Sequence, residues 1–412
     1  MTFTDRTDWA AAGESELDGV VALRREIHAD PEIGLDCPRT TAKIRAALAG
    51  LPLEFREGPS TSGLVAILRG GSDNGRAVLL RGDMDALPME EETGLPFASR
   101  NRGAMHACGH DAHSAMLVGA ARALCARRES LAGTVAFMFQ PGEEGWHGAR
   151  FMIEDGLIDD VLPGRRPDAA FALHIWPTMK RGSVVSKAGP LLASADKLEA
   201  TIAGKGGHAA MPHDSLDPIP VACEIVMALQ AHIARTVPVT DPAVLSITKI
   251  DAGTAHNIVP ATAELLGTLR TLSEERRTAL QEAFQRIVRH VAAAHGLTGE
   301  ARIDPGYPVT FNDARATALV RECARAVGGG EDPWQELAAP IMGAEDFAYV
   351  LRAVPGAMAF LGVAPDGADP AAQPPLHNTR MMVDEEVLAR GVALHCAFAE
   401  RFLAEGFGAA AS

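Results

Sequence analysis

Residues 105–113 read MHACGHDAH, and the rest of the chain is organised around this stretch. A thiol and several imidazoles around one glycine suit neither a hydrophobic core nor a solvated loop. Cys108 and His110 alternate at a spacing that can direct both side chains at one cation. Thiolate with imidazole suits zinc, cobalt, iron or manganese, whereas magnesium and calcium prefer oxygen. On these residues alone, a metal site and a buried thiol beside an incidental histidine both remain open.

Further candidate ligands lie downstream. Glu143 and Glu144 follow an apolar run at 135–139 that predicts a buried strand. Adjacent residues of an extended chain point in opposite directions, so one carboxylate can bind metal while the other faces a substrate. His174 ends a second predicted strand. His377 lies in a turn-rich segment, where an exposed histidine would be an ordinary finding.

These motifs, taken in order, resemble those of a known family. They are RGDMDALP at 81–88, HACGHD at 106–111, PGEEG at 141–145, His174, Gly207-His208, HNIVP at 256–260, GAEDF at 343–347 and LHN at 376–378. The chain resembles the M20 metallopeptidase family, specifically its amidohydrolase branch. That branch includes hippurate hydrolases, N-acyl-amino-acid aminoacylases and plant indole-acetyl-amino-acid hydrolases. The resemblance extends from about residue 28 to about residue 402.

The resemblance implies a metal centre. It predicts two divalent ions per subunit, zinc or manganese, with cobalt and nickel as alternatives, and these ions would activate a water molecule. The implied ligands are Cys108, His110, Glu144, His174 and His377.

The resemblance also gives roles to residues that do not bind metal. Glu143 would be the general base, which takes a proton from the water and returns it to the leaving amine. Asp85 would accept a hydrogen bond from a metal-binding imidazole, although its surroundings also suit a solvated turn. His208 would stabilise the tetrahedral oxyanion in the partner subunit, unless it is a surface-loop histidine. Asn257 and Arg270 would hold the carboxylate of the substrate, although Arg270 also suits an exposed strand.

The sequence departs from the peptidase branches of the family at two positions. Asp83 stands where those branches carry a metal-binding histidine, and Cys108 replaces a bridging carboxylate. Whether Cys108 would bridge two metals or bind one stays open. A helix predicted from Ser114 would place its positive end near Cys108 and help to keep the thiol ionised. For His106 and His113, loop packing is the expected role.

The order of predicted elements indicates two kinds of domain. Strands alternate with helices up to about residue 190, which predicts an α/β domain with a central mixed sheet covered by helices. Two β-α-β halves follow from Asp196 and predict an inserted ferredoxin-like α+β domain. In the family this is the lid and dimerisation domain. The predicted boundaries are 1–192 and 305–412 for the catalytic domain and 193–304 for the inserted domain.

Composition limits the possible partners and compartments. The 412 residues carry a formal net charge of −15, which argues against nucleic acid and anionic membranes, since both attract basic surfaces. Six thinly spread cysteines form no disulfide framework and suit a reducing compartment. The first residues show no basic segment followed by an apolar core, and no apolar run approaches the roughly 18 residues of a membrane span. We therefore expect a cytoplasmic protein.

The expected activity is metal-dependent hydrolysis of N-acyl amino acids, such as N-acetyl or N-benzoyl conjugates, to a carboxylic acid and a free amino acid. The first alternative is a dipeptidase or carboxypeptidase of the same family. The second is a catalytically silent protein that binds conjugates, which the intact Glu143 disfavours. The small-molecule substrate is the expected partner, together with a second subunit in a homodimer; a tetramer is the alternative.

Overall fold

The computed structural model describes residues 8–330 and 332–408. The chain folds into two compact units, which are described separately. The first comprises Met1–Leu191, Phe311–Ala339 and Asp346–Ser412, and the second comprises Leu192–Thr310 and Pro340–Glu345. Leu192 and residues 305–310 and 340–345 thus belong to the second unit, whereas the sequence-based boundaries put them in the catalytic domain. A six-residue segment such as 340–345 has no change of composition by which a sequence could assign it.

The regular elements are as follows in chain order. The strands are β1 (Leu53–Glu57), β2 (Leu64–Arg69), β3 (Ser72–Asp83), β4 (Ala132–Gln140), β5 (Ala169–Trp176), β6 (Val184–Ser186), β7 (Gly189–Leu192), β8 (Asp196–Ala203), β9 (Gly207–His208), β10 (Ala243–Ala252), β11 (Ile258–Val259), β12 (Thr262–Thr271), β13 (Thr298–Pro305), β14 (Thr310–Asn312), β15 (Trp334–Glu336) and β16 (Gly356–Gly362). The α-helices are α1 (Trp9–His28), α2 (Pro38–Ala47), α3 (His110–Ala126), α4 (Gly148–Glu154), α5 (Pro218–Thr236), α6 (Glu274–Ala294), α7 (Ala314–Val327), α8 (Ala348–Ala353) and α9 (Leu388–Glu405).

The first unit is built on an eight-stranded sheet in the order β1-β2-β4-β3-β5-β16-β6-β15. The central strands β4, β3, β5 and β16 run parallel to one another, whereas β1 and β2 are antiparallel to their neighbours. The sheet is therefore mixed, as predicted. Strands β4 and β5 are buried along almost their whole length, which is typical of a sheet covered by helices. Helices α1, α3 and α9 pack together, and α3 and α9 also contact β3.

Two elements of the first unit extend beyond their predicted ends, and both changes affect candidate ligands. Helix α3 begins at His110 and not at Ser114, so His110 to His113 form its first turn. Gly109 precedes it with φ +85°, and a Cβ there would lie 2.4 Å from Ile175 Cγ1, so the position requires glycine. Strand β5 continues two residues past His174, which places that histidine inside the strand.

The second unit is a β-α-β-β-α-β fold. Its four-stranded antiparallel sheet has the order β10-β12-β8-β13, and α5 and α6 are the two helices. This is the predicted ferredoxin-like arrangement. A separate core that includes Leu198, Ile225, Leu265 and Phe284 fills the space between sheet and helices. The alternative that His208 is a surface-loop histidine does not hold for its backbone, because Gly207–His208 form β9 and pair with β11.

No helix within residues 8–330 and 332–408 is both long and apolar enough to cross a membrane. The six cysteines are free thiols, and only Cys223 among them is exposed.

Candidate active site and metal centre

The candidate site lies where neighbouring parallel strands end. Strands β4, β3 and β5 are adjacent in the sheet, and their carboxyl ends lie at the same edge. The segment after β4 carries the Glu143-Glu144 pair, and β5 carries His174. Ligand sites of α/β folds form at this edge, because loops from several strands meet there.

The first ligand group consists of Cys108, His110 and His174. One potential ligand atom from each lies within 4.8 Å of the others, and Cys108 Sγ is 3.4 Å from His174 Nε2. The three residues are 7%, 0% and 6% exposed, respectively. Thiol and imidazole in a buried triangle of this size suit a transition-metal ion or zinc.

Hydrogen bonds fix which nitrogen of each imidazole can bind metal. His174 Nδ1 lies 2.6 Å from the carbonyl oxygen of Ile175, and His110 Nδ1 lies 2.9 Å from that of Asp85. A carbonyl only accepts, so each Nδ1 carries a proton, and Nε2 is the nitrogen that would present a lone pair to a metal ion. The buried Nε2 of His110 has no hydrogen-bond partner. Such an unsatisfied atom, aimed into a ligand cluster, fits a metal ion.

The electrostatic environment of His110 favours a positive charge. Burial lowers the pKa of His110, but the carboxylates of Asp83, Asp85 and Glu144 outweigh it and raise the pKa to about 10. For His174, burial and the neighbouring His113 lower the pKa well below its ordinary value, so this imidazole is neutral. A divalent cation would replace the proton of His110, because it gains from the same carboxylates, and it would find His174 already neutral, as a ligand must be.

The second ligand group consists of Cys108, Glu144 and His377. Glu144 Oε1 lies 3.1 Å from His377 Nε2. Burial raises the pKa of Glu144, but the hydrogen bond to His377 and nearby positive charge outweigh it and lower the value. His377 adopts φ +60°, and its N–H donates to the carbonyl of Ala107 over 2.8 Å. The two groups share Cys108, so the structure brings together all five predicted ligands.

The expectation that the end of α3 would keep Cys108 ionised is wrong. Burial and the carboxylates of Glu144 and Glu143 raise the pKa of the Cys108 thiol well above its ordinary value. The helix terminus is a partial charge, which is too weak to offset complete burial beside full negative charges. A metal ion bound here would supply the positive charge that a thiolate requires.

Asp85 holds the segment that carries the two glutamates. Its Oδ1 accepts from the backbone N–H of Glu143 over 3.0 Å, and its Oδ2 accepts from that of Glu144 over 3.1 Å. Its carboxylate also lies 3.3 Å from His110 Nδ1, although the carbonyl of Asp85 is the nearer acceptor. The contact to an imidazole was expected from the sequence. The two backbone contacts were not, because they depend on how the chain turns after β4, where Gly142 has φ +71°.

Glu143 lies beside the ligands. It is 6% exposed, and one of its oxygens lies within 4.8 Å of ligand atoms of His110 and Glu144. The backbone N–H of Asp346 donates to Glu143 Oε1 over 3.3 Å. The carboxylate is therefore buried and held next to the cluster, as a proton carrier in a metal-assisted reaction must be.

The other three candidate residues lie in the second unit. His208 is exposed on β9, and its Nδ1 accepts from the N–H of Ala210 over 3.0 Å, so its Nε2 carries the proton. The N–H of Ala209 donates to the carbonyl of Asn257, which places these two candidates together. Arg270 lies at the far end of β12, and burial lowers its pKa. Eight residues of β12 span roughly 27 Å, so the structure does not bring Arg270 to His208 within this unit.

Two histidines of the opening stretch differ in their surroundings. His113 lies between Asp83 and the backbone of β5: its Nδ1 is 2.6 Å from Asp83 Oδ1, and its Nε2 accepts from Ile175 N–H over 2.8 Å. His113 therefore does more than pack in a loop, because it joins Asp83 to the backbone of β5 through hydrogen bonds. His106 is 1% exposed, and neither ring nitrogen has a hydrogen-bond partner; nothing in the structure explains its identity.

This geometry agrees with comparisons to known proteins. The family model described as "Peptidase family M20/M25/M40" matches residues 79–401. The chain belongs to this family. The resemblance found in its motifs is thereby confirmed.

Individual relatives narrow the comparison. The chain is 39% identical to an N-acetyl-L-cysteine deacetylase of Bacillus subtilis over 348 residues, which cover 84% of this chain and 81% of the relative. It is 39% identical to an N-acyl-L-amino acid amidohydrolase of Geobacillus stearothermophilus over 295 residues, or 71% and 78% of the two chains. It is 35% identical to Thermostable carboxypeptidase 1 of Saccharolobus solfataricus over 388 residues, or 93% and 95%.

A solved structure of the same family is also similar to this chain. A dinuclear metal binding peptidase of the M20 family from Bacillus subtilis matches with a TM-score of 0.81 and 34% identity. The match covers 95% of this chain and 99% of that one.

Proposed function

We propose that this chain is a metal-dependent amidohydrolase that cleaves N-acyl amino acids to a carboxylic acid and a free amino acid. The observation that carries the proposal is the pair of ligand groups sharing Cys108 next to the buried carboxylate of Glu143. The names of the deacetylase and amidohydrolase relatives support the substrate class.

The donor set suits two divalent cations. His110 and His174 with Cys108 would hold one, and Glu144 and His377 with Cys108 would hold the other, so Cys108 belongs to both ligand groups. Zinc and manganese suit these ligands best, with cobalt and nickel as alternatives. When bound, the cations would acidify water and polarise the amide carbonyl.

Glu143 performs the proton transfers. Glu144 is committed to metal binding, whereas the Glu143 carboxylate lies beside the cluster with Oε1 oriented by the N–H of Asp346. Asp85 fixes the backbone of both glutamates, so their side chains keep separate tasks. Glu143 takes the proton of the attacking water and delivers it to the nitrogen of the leaving amino acid.

The second unit supplies recognition of the substrate. His208 offers Nε2–H as a donor to the oxyanion, because Nδ1 already accepts from Ala210. Asn257 and Arg270 would hold the free carboxylate of the amino acid. In one chain, His208 on β9 pairs with β11 just before β12 begins, whereas Arg270 lies at the far end of β12. We therefore propose that His208 serves the active site of a partner subunit, so that the two residues act in different sites of a dimer.

That role requires a homodimer, and the second unit has a surface that suits one. Met227 on α5 and Ile250 on β10 are exposed apolar side chains, at 68% and 48%. Strand β10 is the edge of the four-stranded sheet, so its outer backbone groups can pair with the same strand of another copy. We propose that this unit is the lid and dimerisation domain, with a tetramer as the larger alternative. A reducing compartment, the cytoplasm, suits an enzyme that depends on a free thiol.

The carboxypeptidase relative favours one second candidate. A peptidase acting at a free carboxyl terminus would use the same metal centre, base and carboxylate-binding residues. The identity of 35% over 93% of this chain to a thermostable carboxypeptidase keeps that activity as the alternative. Binding of conjugates without turnover is disfavoured, because Glu143 lies where a proton carrier must be.

The test is hydrolysis by chelator-stripped protein, with and without added zinc or manganese. The panel is hippurate, N-acetyl-methionine, an indole-acetyl amino acid and a plain dipeptide. We expect metal-dependent release of amino acid from the N-acyl compounds and a loss of at least ~100-fold in Glu143→Gln. This variant should bind metal as the wild type does. Cleavage of the dipeptide alone would favour the peptidase, and metal binding without any turnover would contradict the proposal.

A further inference from the structure

Arg81 occupies an unusual position beneath the site. Its side chain is fully buried, at 2% exposure, on β3 two residues before the strand ends. The guanidinium donates to the carboxylate of Asp83, to Asp346 Oδ1 over 3.1 Å and to Gln140 Oε1 over 2.9 Å. A planar fork of five donors can bind three such acceptors at fixed angles, which a lysine cannot.

One branch of these contacts leads to a metal ligand. Asp83 Oδ1 lies 2.6 Å from His113 Nδ1. The carboxylate thereby keeps the proton on Nδ1, so His113 Nε2 accepts from the N–H of Ile175 over 2.8 Å. That N–H belongs to the peptide that joins Ile175 to His174. The branch therefore fixes the backbone of β5 at the residue that presents its imidazole to the cation.

The other branch leads to the proton carrier. The Asp346 carboxylate accepts from Gln140 Nε2, over 2.7 and 2.9 Å, and from the N–H of Ala149 over 2.9 Å. These contacts join Asp346 to the end of β4 and the start of α4. The backbone N–H of the same aspartate donates to Glu143 Oε1.

We propose that Arg81 is a positioning residue that holds the two halves of the site in register. Through Asp83 and His113 it sets the strand that carries His174, and through Asp346 it sets the carboxylate of Glu143. The proposal rests on the proposed function only in taking Glu143 as the base. It assigns the two branches separable effects, because one ends at a metal ligand and the other at a proton carrier.

The first measurement is affinity for zinc or manganese, by competition with a chelator, in the absence of substrate. His113→Leu should weaken cation binding by ~10–100-fold, the usual effect of losing a group that orients a ligand. His113→Gln should retain most of the wild-type cation affinity, since an amide can donate to Asp83 and accept from Ile175. Asp346→Asn should leave cation affinity unchanged.

The second measurement is kcat and KM on an N-acyl amino acid at saturating metal. Asp346→Asn should lower kcat by ~10–100-fold with little change in KM, because a misplaced base slows only the chemical step. Arg81→Lys should show both weaker cation binding and lower kcat. Lysine keeps the positive charge but lacks the planar set of donors with which the guanidinium reaches several acceptors.

A matched control separates positioning from stability. Arg277 of the second unit also forms a buried ion pair, with Nη2 2.6 Å from Asp196 Oδ1. Arg277→Lys should lower Tm to a similar extent as Arg81→Lys while cation affinity and kcat stay at wild-type values. If all the variants lose only Tm, the network is structural and the proposal is overturned. If the wild type turns over no N-acyl substrate, the proposed function fails, and cation affinity in His113→Leu against Asp346→Asn still decides this proposal.

Discussion

The candidate residues of the two units differ in how far the fold has already arranged them. In the first unit, Cys108, His110 and His174 are buried, and backbone carbonyls set the imidazole tautomers. In the second unit, His208 and Asn257 are exposed and lie at the other end of β12 from Arg270. Ligands that the fold already holds can take up a metal ion within one chain, whereas groups that bind substrate can be assembled by association of subunits. The comparison therefore separates metal binding, for which one chain holds the ligands, from substrate recognition, which the proposed dimer would complete.

The largest expected effect concerns His208. His208→Ala should lower kcat by ~10²–10³-fold, the usual loss of one oxyanion donor, and leave cation affinity unchanged. Kinetics and chelator competition on the same preparation measure both values.

Mixing variants tests whether His208 acts across subunits. Equal amounts of His208→Ala and Glu143→Gln, unfolded and refolded together, should regain about a quarter of wild-type activity, because half of the dimers carry one complete site. Activity that stays at the level of the separate variants would place His208 in its own subunit and remove the distinction between the units.

The next effect contrasts a histidine that is buried with its carboxylate partners and a histidine–carboxylate pair that is exposed to solvent. His28 Nδ1 lies 2.8 Å from Asp111 and its Nε2 3.1 Å from Glu91. Burial lowers the pKa of His28, but both carboxylates outweigh it and raise the pKa from 6.5 to about 9. Because the folded state binds this proton more tightly, its stabilisation is complete below pH 6.5 and is lost as pH rises through about 9.

We expect the wild type to lose about 3 kcal/mol of unfolding free energy over this window through His28. In denaturant titrations at pH 6.5 and 9.5, the unfolding free energy of His28→Gln should change less with pH than that of the wild type. His295→Gln is the control, since its 2.6 Å pair with Glu224 is solvent-exposed and such pairs contribute little. Equal pH dependence in wild type and His28→Gln would show that the buried pair does not hold the extra proton.

The smallest effect concerns Arg270. Arg270→Lys should raise KM by ~10-fold with little change in kcat, because lysine cannot form a two-pronged contact with the substrate carboxylate. N-acyl amino acid amides, which lack the carboxylate, serve as the control and should be cleaved equally by both proteins. A variant with unchanged KM would remove Arg270 from recognition.

Local patterns and ordered motifs were enough to predict much of this molecule. The strand–helix alternation indicated the mixed sheet, the β-α-β halves indicated the ferredoxin-like unit, and the motifs selected five residues that the structure brings together. The contacts of Arg81 could not be predicted, because they depend on β4, β3 and β5 being neighbours, and the strand order is set by tertiary packing. The tautomer of His174 depends on one carbonyl on β5, a detail that no side-chain pattern records.

The most direct test of the account counts divalent cations bound per chain in the wild type and in Cys108→Ala. Titration of chelator-stripped protein with zinc or manganese, followed by metal analysis after gel filtration, gives both numbers. The account predicts two cations per wild-type chain and weakening of both in Cys108→Ala, because the thiolate belongs to both ligand groups. A single cation in the wild type, or one site of unchanged affinity in the variant, would contradict a shared thiolate at the centre of the site.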